Sequence, residues 1–306
     1  MAEKNIFNPA PPFLVVTDLD GTLLDHNNYS WRGAEPALKK LRSLNIPVIF
    51  NTSKSVKEVL CLQKQMAIST AFIVENGSAL YIPSHVAKTV FTQQSQEATL
   101  FNSSLTDDYY YLLFGEHRKK IIDTIHKART QHSWHFEGFA DWTIKDVMKL
   151  TNLDENSARQ ALDRQYSEPL LWQDSETAFK SFTSYLQAKQ LNILSGGRFY
   201  HVIGQTNKAK PILYLRQTLY RHPGTKVICL GDSANDIDML EVADFPVCVR
   251  SPVREFPVLD QEKAYYTNNY GPKGWSEAIE KILEENLFSG KNTDRGISDT
   301  ETEHNA

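Results

Sequence analysis

The chain predicts an α/β protein with a Rossmann-like parallel-sheet core and an inserted α+β cap domain. Three observations carry that expectation. Near both ends of the chain, short apolar runs rich in β-branched residues alternate with stretches of helical periodicity, the pattern of parallel strands joined by crossover helices. The first such run, Phe13-Leu14-Val15-Val16-Thr17, stops abruptly at Asp18-Leu19-Asp20-Gly21. Between the alternating segments, roughly residues 82–204 have a different texture, richer in aromatic and polar side chains.

Each element follows from its local pattern. Phe13–Thr17 is an apolar run of strand length, and residues 33–44 carry Ala37, Leu38, Leu41 and Leu44 at helical spacing. Residues 46–50 predict a second strand, 55–66 a second helix and 71–74 a third strand. The rhythm resumes with a helix over 208–220, a strand over 227–230, a short helix over 235–242 and a strand over 245–249. An amphipathic helix over 275–287 closes this part. The intervening stretch predicts helices at 107–130 and 155–165, with strands at 133–139, 169–173, 191–194 and 199–203. The expected division is core over residues 11–84, cap over 85–205, core over 206–288, and a polar, disordered tail over 289–306.

Composition narrows the class. The chain has 306 residues, 41% of them hydrophobic and 23% charged, enough for one large or two modest domains. No window approaches the ~18 apolar residues of a membrane span, and the first residues lack the basic and apolar regions of a secretory leader. Cys61, Cys229 and Cys248 are odd in number and lie in apolar contexts, so reduced core thiols and a cytoplasmic setting are expected. A net charge of -4 gives no electrostatic reason for a nucleic-acid partner. No membrane partner is expected, and the oligomeric state leaves no signal.

Four segments carry chemistry. In an extended backbone, positions i and i+2 point to the same side, so Asp18 and Asp20 can converge on one small volume. Two carboxylates that close repel unless a cation or a proton lies between them, which suggests a divalent metal, a nucleophilic carboxylate, or both. A bare Asp-x-Asp-Gly equally serves a strand running into a turn. The second segment, Asn51-Thr52-Ser53-Lys54, offers a hydroxyl and free amides at a helix start, suited to a phosphoryl group but also to an ordinary helix cap. The third contains Lys208 and Lys210, of which Lys208 falls at the strand-to-helix junction because Pro211 fits only a helix's first turn. The fourth, Gly231-Asp232-Ser233-Ala234-Asn235-Asp236, clusters hard oxygen ligands after an apolar run, a donor set suited to Mg2+.

Taken with Asp18-Leu19-Asp20-Gly21-Thr22-Leu23-Leu24-Asp25, these four segments in this order resemble the signatures of the haloacid dehalogenase superfamily of phosphotransferases. The resemblance implies that Asp18 attacks phosphorus and that Asp20 protonates the departing alkoxide and later activates water. Thr52 would contact the phosphoryl group and Lys208 would neutralise its charge. Asp18, Asp232 and the backbone carbonyl of Asp20 would hold Mg2+. Asp236 would complete the metal site, orienting waters or the phosphoryl group together with Asn235. Ser53-Lys54 stands where many relatives carry Gly-Arg, which makes Lys54 a point charge rather than a fork.

The insertion between the second and third segments resembles the Cof-like group with its large α/β cap (type IIB). Tyr29-Ser30-Trp31, Glu75-Asn76-Gly77, Gly196-Gly197-Arg198-Phe199-Tyr200-His201-Val202 and Gly271-Pro272-Lys273-Gly274-Trp275 extend the likeness to the mannosyl-3-phosphoglycerate phosphatase family. That likeness implies a small sugar-phosphate substrate, mannosyl-3-phosphoglycerate, cleaved to mannosylglycerate and phosphate. Such a substrate carries a carboxylate as well as a phosphate, so Arg198, His201 and Lys54 are candidate cations for it, with Ser53 beside them. Glu75 and Asn76 are candidates for sugar hydroxyls. Trp31 and Trp275 are expected to pack rather than bind sugar. The alternatives are another sugar phosphate (glucosyl-3-phosphoglycerate or sucrose phosphate), a sugar phosphomutase, and a non-catalytic relative.

Overall fold

The computed structural model describes residues 9–91, 101–102, 108–196 and 198–288. The tail over 289–306 lies outside the described residues. In chain order the strands are β1 (Phe13–Thr17), β2 (Val48–Asn51), β3 (Phe72–Val74), β4 (Ala79–Pro83), β5 (Phe101–Asn102), β6 (Tyr109–Leu113), β7 (Phe136–Gly138), β8 (Ser167–Trp172), β9 (Leu191–Ser195), β10 (Tyr200–Gly204), β11 (Lys226–Gly231), β12 (Phe245–Arg250) and β13 (Tyr265–Tyr270). The α-helices are α1 (Glu35–Ser43), α2 (Val56–Met66), α3 (Ser84–Phe91), α4 (Arg118–His132), α5 (Ile144–Thr151), α6 (Glu155–Leu162), α7 (Glu176–Ala188), α8 (Ala209–Gln217), α9 (Ile237–Glu241) and α10 (Gly271–Leu283).

Among the described residues, nine strands form the large sheet, in the order β13-β12-β11-β1-β2-β3-β4-β6-β5. From β13 to β3 the neighbours run parallel, and β4, β6 and β5 then add antiparallel pairs. β1 is buried along its whole length because helices cover both faces, which is why it reads as continuous apolar residues. Alternation along the strand sorts its side chains. Phe13 and Val15 join one core with Leu38 and Leu41 of α1, Val56 and Val59 of α2 and Trp275 of α10. Leu14 and Val16 join the opposite core with Ile212 and Leu215 of α8 and Met239 and Leu240 of α9. Two apolar layers on the two faces of one sheet make the three-layer sandwich that the sequence rhythm predicts.

The small sheet, β7-β8-β10-β9, is antiparallel throughout. One face packs on α4 and α7 through Ile121, Ile125, Phe182 and Leu186, together with Leu170 and Val202 of the sheet itself. Its other face looks toward the carboxyl edge of the large sheet across a shared cavity. Helices α5 and α6 form a separate small cluster around Phe139, Val147 and Ala158.

Two expectations are corrected. Residues 109–113, expected within a helix over 107–130, form β6, and the helix runs over Arg118–His132 instead. The run Tyr-Tyr-Tyr-Leu-Leu has apolar bodies on both faces: Tyr109 and Tyr111 meet one core, Tyr110 and Leu112 the other. A strand between two layers suits that distribution and a helix does not. Consequently the large sheet continues to Leu113, past the expected cap boundary at residue 85, because β4 pairs with β6 across that boundary. Among the described residues, no helix is long and apolar enough to cross a membrane.

Candidate active site

β11, β1 and β2 are parallel neighbours, so their carboxyl ends open on one edge. Asp232 follows β11, Asp18 follows β1 and Thr52 follows β2. Chain order moves outward from β1 in one direction and returns on its other flank at β11, and open α/β sheets bind ligands at such reversals. Gly21 lets the turn after β1 lie against this edge. Its φ is +85°, and a Cβ there would stand 2.6 Å from Oδ2 of Asp232.

Asp18, Asp232 and Asp236 are buried and offer carboxylate oxygens within 4.8 Å of one another. Lys208, at the N-cap of α8, donates through Nζ to Oδ1 of Asp18 and to Oδ1 of Asp236, each at 2.6 Å. The loop that carries it is held from two sides. Nδ2 of Asn51 donates to its carbonyl at 2.8 Å, and Thr206 Oγ1 donates to the Gly77 carbonyl at 2.8 Å. Gly77 has φ +85°, and a Cβ there would fall 2.0 Å from the Asn207 carbonyl oxygen. Glu75 and Asn76 also have positive φ, so three successive left-handed residues brace the lysine loop. Lys210 is exposed and donates to the Gln205 carbonyl, so of the two lysines Lys208 faces the cluster.

Three carboxylates against one ammonium leave two negative charges in excess in a nearly dry space. Burial, reinforced by Asp236 and Asp232, pushes the Asp18 carboxyl up to about 8 against the pull of Lys208. Burial and the Asp236 charge push Asp232 up to about 7. For Lys208, burial favours the neutral amine, but Asp18 and Asp236 outweigh it and hold the ammonium above its ordinary range. A dication with a preference for hard oxygen ligands relieves this imbalance, so the cluster fits a divalent metal held by Asp18 and Asp232. Asp236 has less to offer such an ion. Its Oδ2 accepts the amides of Asp232 and Ser233, each at 3.1 Å, and its Oδ1 accepts Lys208, so it orients these groups.

Asp20 occupies different surroundings. Its side chain is 40% exposed and its Oδ1 lies 2.8 Å from Nζ of Lys54, which is also 3.7 Å from Glu58. Thr52 is buried. Its Oγ1 accepts the Lys54 amide at 3.2 Å, while Ser55 caps α2 in a capping box with Glu58, so the cap alternative for Thr52 does not hold.

A cavity of about 550 Å³ runs from Asp18, Asp20 and Asp232 to the small sheet. Asn76 and Asn235 line it, their side chains joined at 3.5 Å, as do Ser53 and Lys54. On the far wall, His201 pairs in register with Pro169 on one side and Leu194 on the other, and all three reach the cavity because Tyr200 and Val202 point the opposite way. Burial, and then the charges of Arg164 and Lys208, push the His201 imidazole down to about 3. Its Nδ1 is buried and without a hydrogen-bond partner among the described residues, surroundings that disfavour the cation expected of it. Arg198 is exposed at the rim and donates from Nη1 to the Leu150 carbonyl at 2.9 Å.

Glu75 is also corrected. It is fully buried, outside the cavity, and accepts the amides of Gln165 (2.8 Å) and Tyr166 (3.1 Å) and the Ser167 hydroxyl (2.6 Å). It ties the turn after β3 to the loop between α6 and β8 and has no oxygen to spare for a sugar. Sequence reasoning missed Arg164 and Arg254, which line the cavity too. Arg254 acts on Asp232 through its charge. Nothing in the local sequence of either marks it, since each is recruited by loops folding from elsewhere.

The pattern of the haloacid dehalogenase-like hydrolases matches residues 15–256, and the chain belongs to that family. It is a phosphoric monoester hydrolase with the fold and the strand-end carboxylates of that class. Among curated relatives it is 33% identical over 276 residues to a glucosyl-3-phosphoglycerate/mannosyl-3-phosphoglycerate phosphatase of Methanococcoides burtonii, covering 89% of this chain and 98% of that one. A protein of the same description from Persephonella marina is 31% identical over 275 residues, 89% of this chain and 97% of the relative. Similar folds include a haloacid dehalogenase-like hydrolase from B. subtilis (TM-score 0.59, 17% identity, 90% of this chain and 99% of that one). The sucrose-phosphatase of Synechocystis sp. PCC6803, solved with sucrose and phosphate, is another (TM-score 0.55, 16% identity, 90% and 97%).

Proposed function

We propose that the protein hydrolyses mannosyl-3-phosphoglycerate to mannosylglycerate and phosphate, with Mg2+ as its metal and Asp18 as nucleophile. The observation that carries this reading is the contrast between the two aspartates. Asp18 is buried against Lys208, while Asp20, two residues on, stands at the cavity wall beside Lys54. A carboxylate oxygen of Asp18 attacks phosphorus as the bond to the sugar-bearing alcohol breaks, giving an aspartyl phosphate. Asp20 gives its proton to the departing alkoxide, then takes one from the water that attacks the aspartyl phosphate and regenerates Asp18. Mg2+, when bound by Asp18, Asp232 and the Asp20 carbonyl, supplies positive charge against the phosphoryl oxygens. Lys208 stabilises the charge gathered at phosphorus, and Asp236 keeps the lysine aimed. Ser53, Asn76 and Asn235 at the cavity wall, with the buried Thr52 behind them, would surround the phosphoryl group, and the segment from α4 to β10 would act as the cap that shuts bulk water out.

The glucosyl ester is the second reading, supported because the relatives from Methanococcoides burtonii and Persephonella marina both carry the two glycosyl groups in their names. The three unpaired thiols agree with a cytoplasmic setting. Phosphate release from a panel of esters tests the substrate. Mannosyl- and glucosyl-3-phosphoglycerate should exceed hexose phosphates and sucrose phosphate in kcat/KM; a flat response, or a better one to hexose phosphates, rejects the reading.

A further inference from the structure

Arg164 lies two residues beyond α6, and its side chain is only 5% exposed. Its Nε donates to Ser167 Oγ at 3.0 Å and its Nη2 to the Ser53 carbonyl at 2.5 Å. Nη1 has no partner among the described residues, and the side chain lines the cavity. Glu75 approaches Nε at 3.6 Å, but that carboxylate is already shared among two amides and a hydroxyl. A nearly dry guanidinium is thus left with Nη1 free and its charge only partly balanced.

We propose that Arg164 binds a carboxylate on the alcohol side of the substrate. This rests on the phosphoglycerate reading and names the group that selects for it. A guanidinium offers parallel donors that match a carboxylate, and its charge survives burial at any ordinary pH. The other cations at the cavity suit the task less. Lys54 is held by Asp20 and Glu58, and Arg198 and Arg254 are exposed, where water weakens an ion pair. Pro169 and Leu194, in register on either side of His201, give the subsite apolar flanks. The His201 ring between them completes that wall, its Nδ1 buried and without a hydrogen-bond partner among the described residues.

The test compares 3-phosphoglycerate with glycerol 3-phosphate, which share the phosphorylated chain but differ by carboxylate against hydroxymethyl. Each is measured as a competitive inhibitor of p-nitrophenyl phosphate hydrolysis. The wild-type protein should hold 3-phosphoglycerate tighter by on the order of 10- to 100-fold, the scale of hydrogen bonds to a charged partner. Arg164→Gln should bring the ratio of inhibition constants close to one, and Arg164→Lys should retain part of it. A ratio unchanged in Arg164→Gln, whatever happens to absolute activity, overturns the assignment and leaves Arg164 a structural tie. A wild-type ratio near one overturns it as well. Where Arg164→Gln does not fold, Arg164→Lys carries the test, and a ratio equal to wild type counts against the forked pairing. If glycosyl-phosphoglycerates are poor substrates while the ratio still collapses in Arg164→Gln, the sugar assignment fails and the carboxylate site stands.

Discussion

Nζ of Lys208 lies 2.6 Å from Oδ1 of Asp18, although 190 residues separate the two in the chain and both are buried. The same ammonium holds Asp236 at 2.6 Å, so one cation organises the dry half of the site.

Lys208→Met should therefore lower kcat by at least ~10²-fold, the usual cost of removing one preorganised charge partner. Because the change strands buried carboxylates, metal-free variant protein should also lose on the order of 3–5 kcal/mol of stability. Phosphate release and urea titration in chelator measure the two effects. Lys210→Met, altering an exposed side chain, should leave both near wild type.

Asp18→Asn keeps shape and removes nucleophilicity, so turnover should vanish. It also removes one of three crowded carboxylates, so the chelator-treated variant should melt no lower than wild type. Substantial residual turnover would falsify the aspartyl-phosphate route.

The pH dependence has a definite sign. Asp18 and Asp232 titrate near 8 and 7 in the folded protein, above the ordinary carboxyl value, so the folded state binds protons more tightly than the unfolded chain. Stability of the metal-free protein is then greatest below the ordinary carboxyl range and falls as pH rises through about 7 to 8. Saturating Mg2+, by taking the place of those protons, should flatten the slope. Thermal melts across that range with and without chelator test this; parallel curves would count against the cluster as a metal site.

Glu75→Gln should destabilise the protein by about 3–5 kcal/mol, because it removes the carboxylate nearest the buried Arg164 guanidinium and weakens three hydrogen bonds at once. Equilibrium unfolding in urea gives the number, and a change below ~1 kcal/mol would mean that the tie is dispensable.

Much of this site was legible because its chemistry sits at strand ends. Apolar runs that stop at Asp18, Thr52 and Asp232 announce strands whose carboxyl edges coincide once the sheet is parallel, and Pro211 fixed the choice of Lys208 over Lys210. β6 was not legible as a strand, since its Tyr-rich run fits either period and only pairing with β4 decides. Glu75 and Arg164 were hidden for a related reason. A charged residue's role depends on what folds against it, and the partners of Glu75 lie about ninety residues away, in the loop after α6. His201 falls on the late strand that its sequence predicts, but its burial is a property of the assembled wall and not of the residue.

The left-handed turn at residues 75–77 bears on how this enzyme can be re-engineered. Glu75 grips residues 165–167, and Gly77 presses on the loop that presents Lys208. A chimera that imports another relative's specificity domain must keep residues 164–167 with the host, or transplant the turn along with its guest. Junctions cut at the first residue of the insertion would unseat the lysine even though every catalytic side chain was retained.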